Sequence, residues 1–412
     1  MSLPDVARSP APPAASMLRP MRRLRRALLV GLGSRITVGR LAVETPDGER
    51  LDFGGHAPGP AAAIVIRRWR ALPRILIGGD IGFANGYIEG DWSTPDLTAV
   101  IELAIRNESG LGKSFNGSLP SRLRHRLKHL RRRNTPRKSR RNISAHYDLG
   151  NDFYAAWLDP SMTYSSALFR PGRETLEGAQ EAKNERIAEL LDMKGARNVL
   201  EIGCGWGALA EKLAREHDCR VTGITLSTEQ LAYATERMKQ AGLAERATLR
   251  LEDYRKVGGE FDRIVSIEML EAVGEEHWPR YFGVLRDRLI AGGIAVLQVI
   301  TIADERFETY RRGADFIQSY IFPGGMLPSP GAIRREVERA GLELLSSETF
   351  GLDYAQTLAE WRRRFQAAWP KLHSQGLASS FKQMWEYYLA YCEAGFRTAT
   401  IDVGLYRLRK AG

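Results

Sequence analysis

From about residue 143 onward the chain alternates between two textures. Short apolar runs (NVLEIG, RVTGIT, DRIVSIE, GIAVLQVI) are separated by stretches of helical character such as GALAEKLARE, TEQLAYATERMKQAG and HWPRYFGVLRDRLI. The short runs suit buried strands, and the longer stretches suit amphipathic helices. Their alternation predicts an α/β, Rossmann-like fold, a parallel sheet with helices on both faces. Residues 41–115 read as a small independent mixed α and β domain. It has strand signals near Val43, glycine-rich turns in GGHAPGP and IGGDIGFANGYIEGDW, and a short apolar helix, DLTAVIELAIRN. Residues 1–40, with APPAAS and RPMRRLRR, read as a disordered basic segment, at most a basic amphipathic turn. Residues 116–142 read as a basic linker in which Pro136 breaks any helix. Residues 143–412 then form the main domain.

Composition narrows the class. At about 150 residues per domain, 412 residues predict two or three domains. With 43% hydrophobic and 26% charged residues, the chain is not disordered throughout, collagen-like or disulfide-rich. No run approaches the ~18 apolar residues of a spanning helix. Three cysteines, Cys204, Cys219 and Cys392, suit a reducing cytoplasm, and the seven histidines show no zinc spacing. His125 and His129, four apart in a basic run, make a poor metal site.

The net charge of +11 is concentrated. From Ser121 to Arg141 there are eleven basic residues and no acidic one, which equals the whole excess. A smaller cluster is Arg19, Arg22, Arg23, Arg25 and Arg26. Such runs attract polyanions, either nucleic acid or an anionic membrane face, or are simply solvated linkers.

NVLEIGCGWGALAEKLA joins a strand, a glycine turn and a helix, and carries Glu201, Gly203, Gly205 and Gly207 as E-x-G-x-G-x-G. Glycine lets backbone pass close beneath a nucleoside. The turn would lie beyond the carboxyl ends of the strands, where open α/β sheets bind ligands. The spacing differs from the G-x-G-x-x-G of dinucleotide folds and resembles motif I of S-adenosylmethionine-dependent methyltransferases. Polar groups also close the later strands, at Thr225-Leu226-Ser227, Glu252-Asp253 and Glu268 to Glu271. A Rossmann-like fold with another ligand is the alternative.

Further stretches narrow the class: NISAHYDLGNDFY, LDPSMTYSSALF, GITLSTEQ, SIEMLEAVG, DFIQSYIFPGGMLPS and FGLDYAQTLAEWRRRF. In this order and spacing they resemble the cyclopropane-fatty-acyl-phospholipid synthase family over about residues 143–412. GGDIGFANGYIEGDW resembles that family's smaller domain. The resemblance implies a class I methyltransferase sheet with a helical cap. It also implies transfer of the S-adenosylmethionine methyl carbon to a cis double bond of a phospholipid acyl chain, giving a cyclopropane ring. The implied partners are unsaturated phospholipids and an anionic membrane surface rather than nucleic acid, with peripheral attachment from the cytoplasm. A homodimer is compatible with the sequence, which leaves the oligomeric state open.

An alkene is a weak nucleophile, so the site must align it with the methyl group and exclude water. The resulting carbocation is stabilised by aromatic faces and by an anion, and ring closure needs a base. The resemblance implies bicarbonate as that base. The family's M-F-E glutamate corresponds to Glu271 and its F-G-x-D-Y tyrosine to Tyr354. Its Y-S-C cysteine is replaced by Ser166, its L-H-T-I histidine by Gln298 and its E-H histidine by Ala272. LQVITIADERF resembles a second branch that includes plant cyclopropane synthases. For the cofactor, the resemblance implies Tyr164 and Ser165 at the methionine part and Gly203 and Gly205 along the turn. It places Thr225, Leu226 and Gln230 by the ribose and Asp253 at the adenine edge.

Other readings stay open beside these. A misplaced base would give a methyl- or methylene-branched chain without a ring. A non-catalytic relative would explain Ser166, Gln298 and Ala272, although the intact turn, Glu271 and Tyr354 argue against it. A nucleic-acid methyltransferase would explain the basic run but lacks an N-P-P-Y-type motif. Trp361, Phe365, Trp369, Trp385, Tyr388 and Phe396 recur at helical spacing and read as core, with some lining an acyl tunnel. His146 and Tyr147 read either as part of the site entrance or as a packed capping segment. Glu268 faces the cofactor or caps a strand; the sequence does not decide.

Overall fold

The computed structural model describes residues 14–115 and 149–412. The basic run 121–141, with His125 and His129, and the pair His146 and Tyr147 lie outside the described residues.

The small domain is built on four strands, β1 (Val38–Glu44), β2 (Arg50–Gly54), β3 (Ala57–Ile66) and β4 (Trp92–Ser93), in the order β2-β1-β3-β4. Its glycine-rich motif has a packing explanation. Asp91 is fully buried and takes hydrogen bonds or ion pairs from Arg70 at 2.6 Å and Arg74 at 3.1 Å. Next to it, Trp92 donates its indole N–H to the Phe83 carbonyl at 2.9 Å and stacks on the Phe83 ring. Asp96 caps the helix Leu97–Arg106 by accepting from Ala99 N–H.

The expectation of disorder before residue 40 is corrected: Ala14–Gly33 is a helix. Its arginines find partners that composition does not reveal. Arg26 bonds Glu49 at 2.6 Å, Arg25 lies over the Trp69 ring at 5.0 Å, and Leu29 is buried in the core.

The main domain holds a seven-stranded sheet of β5 (Asn198–Ile202), β6 (Arg220–Thr225), β7 (Ala247–Leu251), β8 (Phe261–Ile267), β9 (Leu289–Ile302), β10 (Leu342–Thr349) and β11 (Ile401–Lys410). Their order is β10-β11-β9-β8-β5-β6-β7. Strands β5 to β9 pair in parallel, as the alternating pattern predicts. The sheet is nonetheless mixed, because β11 pairs antiparallel with both β9 and β10. The cause is the cap. After β10, two long helices, Gly351–Ser374 and Ser379–Arg397, pack on each other. The chain then enters β11 opposite the end of β9, with Ile401 beside Ile302, and must run back down the sheet.

The cap also receives the small domain. Helix Ser379–Arg397 packs on Leu97–Arg106 and on Ala71–Ile88. Thr98 Oγ1 donates to buried Glu393 at 3.0 Å, and Arg362 donates to the same carboxylate oxygen at 2.9 Å. Among the described residues, no helix is long and apolar enough to cross a membrane.

Candidate active site

A cavity of about 1140 Å³ opens at the carboxyl end of the parallel strands, somewhat larger than the ~300–1,000 Å³ of ordinary small-molecule pockets. One end is the glycine turn after β5. Gly203, Gly205 and Gly207 have φ of 85°, 52° and 85°, the left-handed region that side chains avoid. A Cβ on Gly203 would also stand 3.3 Å from the Met269 side chain. Next to the turn, Ser227 caps the helix Thr228–Gln240 by accepting from Gln230 N–H. Thr225 Oγ1 donates to the Gln230 side chain at 2.9 Å.

Tyr164, Ser165, Gly203, Gly205, Thr225, Leu226 and Gln230 all line this end of the cavity. Asp253 does not. Its carboxylate is held by the Arg255 guanidinium, at 2.8 Å from Nε, and its neighbour Glu252 lines the wall instead. The turn suits a nucleoside-bearing ligand, because its backbone carries no side chain and Gly205 faces open space. Glu201 adds a buried Oε2 that has no hydrogen-bond partner.

The chemistry-bearing residues converge on Glu268, at the end of β8. Its Oε1 accepts from Ser166 N–H at 2.8 Å and from Gln298 Nε2 at 2.7 Å, and its Oε2 accepts from Tyr354 OH at 2.7 Å. Ser166 and Gln298 are fully buried and stand behind Glu268, away from the cavity wall. The Ser166 hydroxyl points elsewhere, donating to the Ala167 carbonyl at 2.9 Å. Glu268, Glu271 and Tyr354 are in the wall itself.

The two glutamates differ in environment. Burial holds the Glu268 carboxyl above its ordinary value, an effect that its three donors and the nearby Lys183 ammonium offset only in part. Glu271 is pushed up to about 8 by burial and by the charge of Glu268. Its compensating donors are the Ile300 N–H and its own backbone N–H, and its Oε2 has no partner. Of the two, Glu268 is the better stabilised as an anion, and Glu271 holds a proton near neutrality.

Sequence reasoning missed Lys183, a buried cavity residue on the helix Leu176–Leu191. Its ammonium donates to Ser165 Oγ at 3.2 Å, and burial lowers it to about 8 against the charges of Glu268, Asp159 and Glu201. No motif announces it. Glu268 did carry a signal, since it lies three residues before Glu271 in SIEMLEAVG.

Much of the remaining wall is apolar, interrupted by the charged Arg106, Glu108, Glu305, Arg306 and Asp315. Ile300, Ile302, Phe322, Met326, Tyr388 and Phe396 line it, and the Ile317–Ile321 segment contributes a π-helical turn. Ile105, Glu108 and Gly112 bring the small domain into the same wall. The aromatic stripe thus divides: Tyr388 and Phe396 face the cavity, whereas Trp361, Phe365 and Trp385 are core. Tyr354 stacks on Phe396 with centroids 4.5 Å apart.

Comparison with known proteins agrees with this geometry. Residues 134–405 match the family described as Mycolic acid cyclopropane synthetase. The chain is 38% identical over 379 residues to the tuberculostearic acid methyltransferase of Mycobacterium tuberculosis, spanning 87% of this chain and 86% of that one. It is 36% identical over 368 residues to the cyclopropane-fatty-acyl-phospholipid synthase of Escherichia coli, spanning 88% and 91%. Among solved structures, a mycolic acid cyclopropane synthase complexed with SAH and CTAB superposes with a TM-score of 0.62 at 30% identity, covering 66% of this chain and 98% of that one. The chain belongs to the mycolic acid cyclopropane synthetase family and is an S-adenosylmethionine-dependent methyltransferase of the lipid methyl- and cyclopropane-transferring kind.

Proposed function

We propose that the protein alkylates the cis double bond of an unsaturated phospholipid acyl chain and closes a cyclopropane ring. The observation that carries this reading is one continuous cavity. It joins a backbone-lined glycine turn to a paired carboxylate site and on to an apolar wall that suits an acyl chain. Tyr164, Ser165, Gly203, Gly205, Thr225, Leu226 and Gln230 would hold S-adenosylmethionine, which supplies an electrophilic methyl group when bound. The apolar wall holds the alkene and keeps water away from a reactive cation. Tyr388, Phe396 and Tyr354 present aromatic faces, and Glu268 a negative charge, to the positive charge that develops on the acyl chain.

A second reading is a methyl- or methylene-branched product without a ring. It is favoured by the similarity to the tuberculostearic acid methyltransferase and by Ser166, Gln298 and Ala272 at motif positions. Expression in a host without its own synthase, with permethyl-labelled cofactor, separates the two. A ring or a methylene branch keeps two labelled hydrogens on the added carbon, and a methyl branch left when the cation loses a chain proton, as a methyl-substituted alkene, keeps three. Ozonolysis then cleaves the methylene branch and spares the ring. Absence of any labelled acyl chain would refute both readings.

The substrate lies in a bilayer, and we assign the basic elements to docking on an anionic membrane from its cytoplasmic side. Helix Ala14–Gly33 exposes Met21 and Leu24 beside Arg22, Arg23, Arg25 and Arg26, the mixture of a helix lying in a membrane interface. Neutralising Arg131, Arg132 and Arg133 should weaken binding to phosphatidylglycerol vesicles, most at low salt. Unchanged binding would return that run to the role of a linker.

A further inference from the structure

The bicarbonate implied by the family resemblance does not fit this chain. A bound anion at that place would need the Ser166 N–H, the side chain at position 298 and the Tyr354 hydroxyl. All three already donate to the Glu268 carboxylate, at 2.8, 2.7 and 2.7 Å. Bicarbonate and a glutamate side chain present the same group, a planar delocalised carboxylate with two acceptor oxygens. The place is therefore filled from within.

The backbone supports this reading independently. Glu268 has φ of 49°. A side chain in the left-handed region costs roughly 1–2 kcal/mol that glycine would avoid. Strained residues of this kind cluster at functional sites, where the surrounding structure holds them in place. Here the surroundings are three donors from three separate elements: the Tyr164–Phe169 segment, strand β9 and the cap helix. Each donates a hydrogen bond that the carboxylate accepts, a set that favours an anion at this place.

We propose that the Glu268 carboxylate is the built-in base of the reaction, in the position where relatives of this fold are expected to bind bicarbonate, and that turnover requires no dissolved bicarbonate. The inference rests on alkene alkylation as the reaction. In the deprotonation step, one C–H bond of the transferred methyl carbon breaks and an O–H bond forms on a Glu268 oxygen. The freed electron pair forms the carbon–carbon bond that closes the ring and cancels the positive charge. In the branched alternative, the same pair forms the exocyclic double bond. The protonated carboxyl then gives its proton to solvent after product leaves, and no oxidant or reductant enters. Ser166 and Gln298 act as positioning residues that aim this carboxylate, and Tyr354 does so from the cavity side.

The test uses the full chain, S-adenosylmethionine, and vesicles of dioleoylphosphatidylglycerol in carbon dioxide-free buffer with and without millimolar bicarbonate. Wild-type turnover should be the same in both. Glu268→Gln should lose roughly 10²- to 10⁴-fold in kcat, the usual contribution of a positioned base, while binding S-adenosylhomocysteine normally by calorimetry. Glu268→Gly relieves the backbone strain and vacates the place, so it should be silent alone and regain turnover with added bicarbonate or formate. A wild-type enzyme that stops without bicarbonate, or a Glu268→Gln variant at full rate, would overturn the inference. A wild type that labels no vesicle lipid in either buffer would instead overturn the alkylation reading on which it rests.

Discussion

Tyr354→Phe removes one hydrogen bond and little else. The ring is buried and stacked on Phe396 at 30°, so phenylalanine occupies the same space. The hydroxyl is the donor to Glu268 Oε2, at 2.7 Å. A hydrogen bond to a charged acceptor contributes about 1.5–3 kcal/mol. Because it stabilises the ionised form, its loss should raise the Glu268 carboxyl. A base must be ionised to work. The acid limb of the pH–rate profile should therefore move to higher pH, and kcat at lower pH should fall by about 10- to 100-fold, the factor that the lost hydrogen bond is worth. The deficit should shrink as pH rises, which a purely structural defect would not do. The assay is transfer of labelled methyl to phospholipid vesicles across pH, with S-adenosylhomocysteine affinity as a check on the fold. A variant whose acid limb coincides with that of the wild type would refute the assignment of Tyr354 to Glu268.

Glu271 supplies a prediction about stability. Its carboxyl rises from 4.5 unfolded to about 8 in the folded protein. The native state thus holds a proton that the unfolded chain releases. At about 1.4 kcal/mol per pH unit, up to about 5 kcal/mol of stability is present below pH 4.5 and lost as pH rises through 8. Glu271→Gln mimics the protonated form and should flatten the fall in urea midpoint between those values; parallel curves for the two proteins would count against a buried neutral Glu271. Glu393→Ala addresses the seam between the small domain and the cap. It strands Arg362 and leaves the Thr98 hydroxyl unpaired, a loss of roughly 3–5 kcal/mol for a buried pair broken on one side. The lower end is expected, because Arg397, also paired to Glu393, is half exposed. An unchanged urea midpoint would show that the seam does not depend on this carboxylate.

The order of elements, the glycine turn and the family motifs were legible in the sequence because each is local. NVLEI is buried along nearly its whole length, and E-x-G-x-G-x-G places left-handed glycines at three alternate positions, so neighbouring residues alone specify that strand and turn. For the same reason, seven of the eight residues expected at the cofactor meet along one end of the cavity. Asp253 shows the limit of such reading: it is next to the right residue, but Arg255, two positions on, takes its carboxylate. The helix at Ala14–Gly33 looked disordered because its arginines depend on Glu49 and Trp69 for partners. The antiparallel return of β11 depended on the length and placement of the cap. The base of the reaction was decided only in three dimensions. Ser166, Glu268, Gln298 and Tyr354 span nearly 190 positions of the chain, and nothing local to any one of them marks Glu268 as the common acceptor. A carboxylate becomes a base through the donors and burial around it, and the fold alone brings those together.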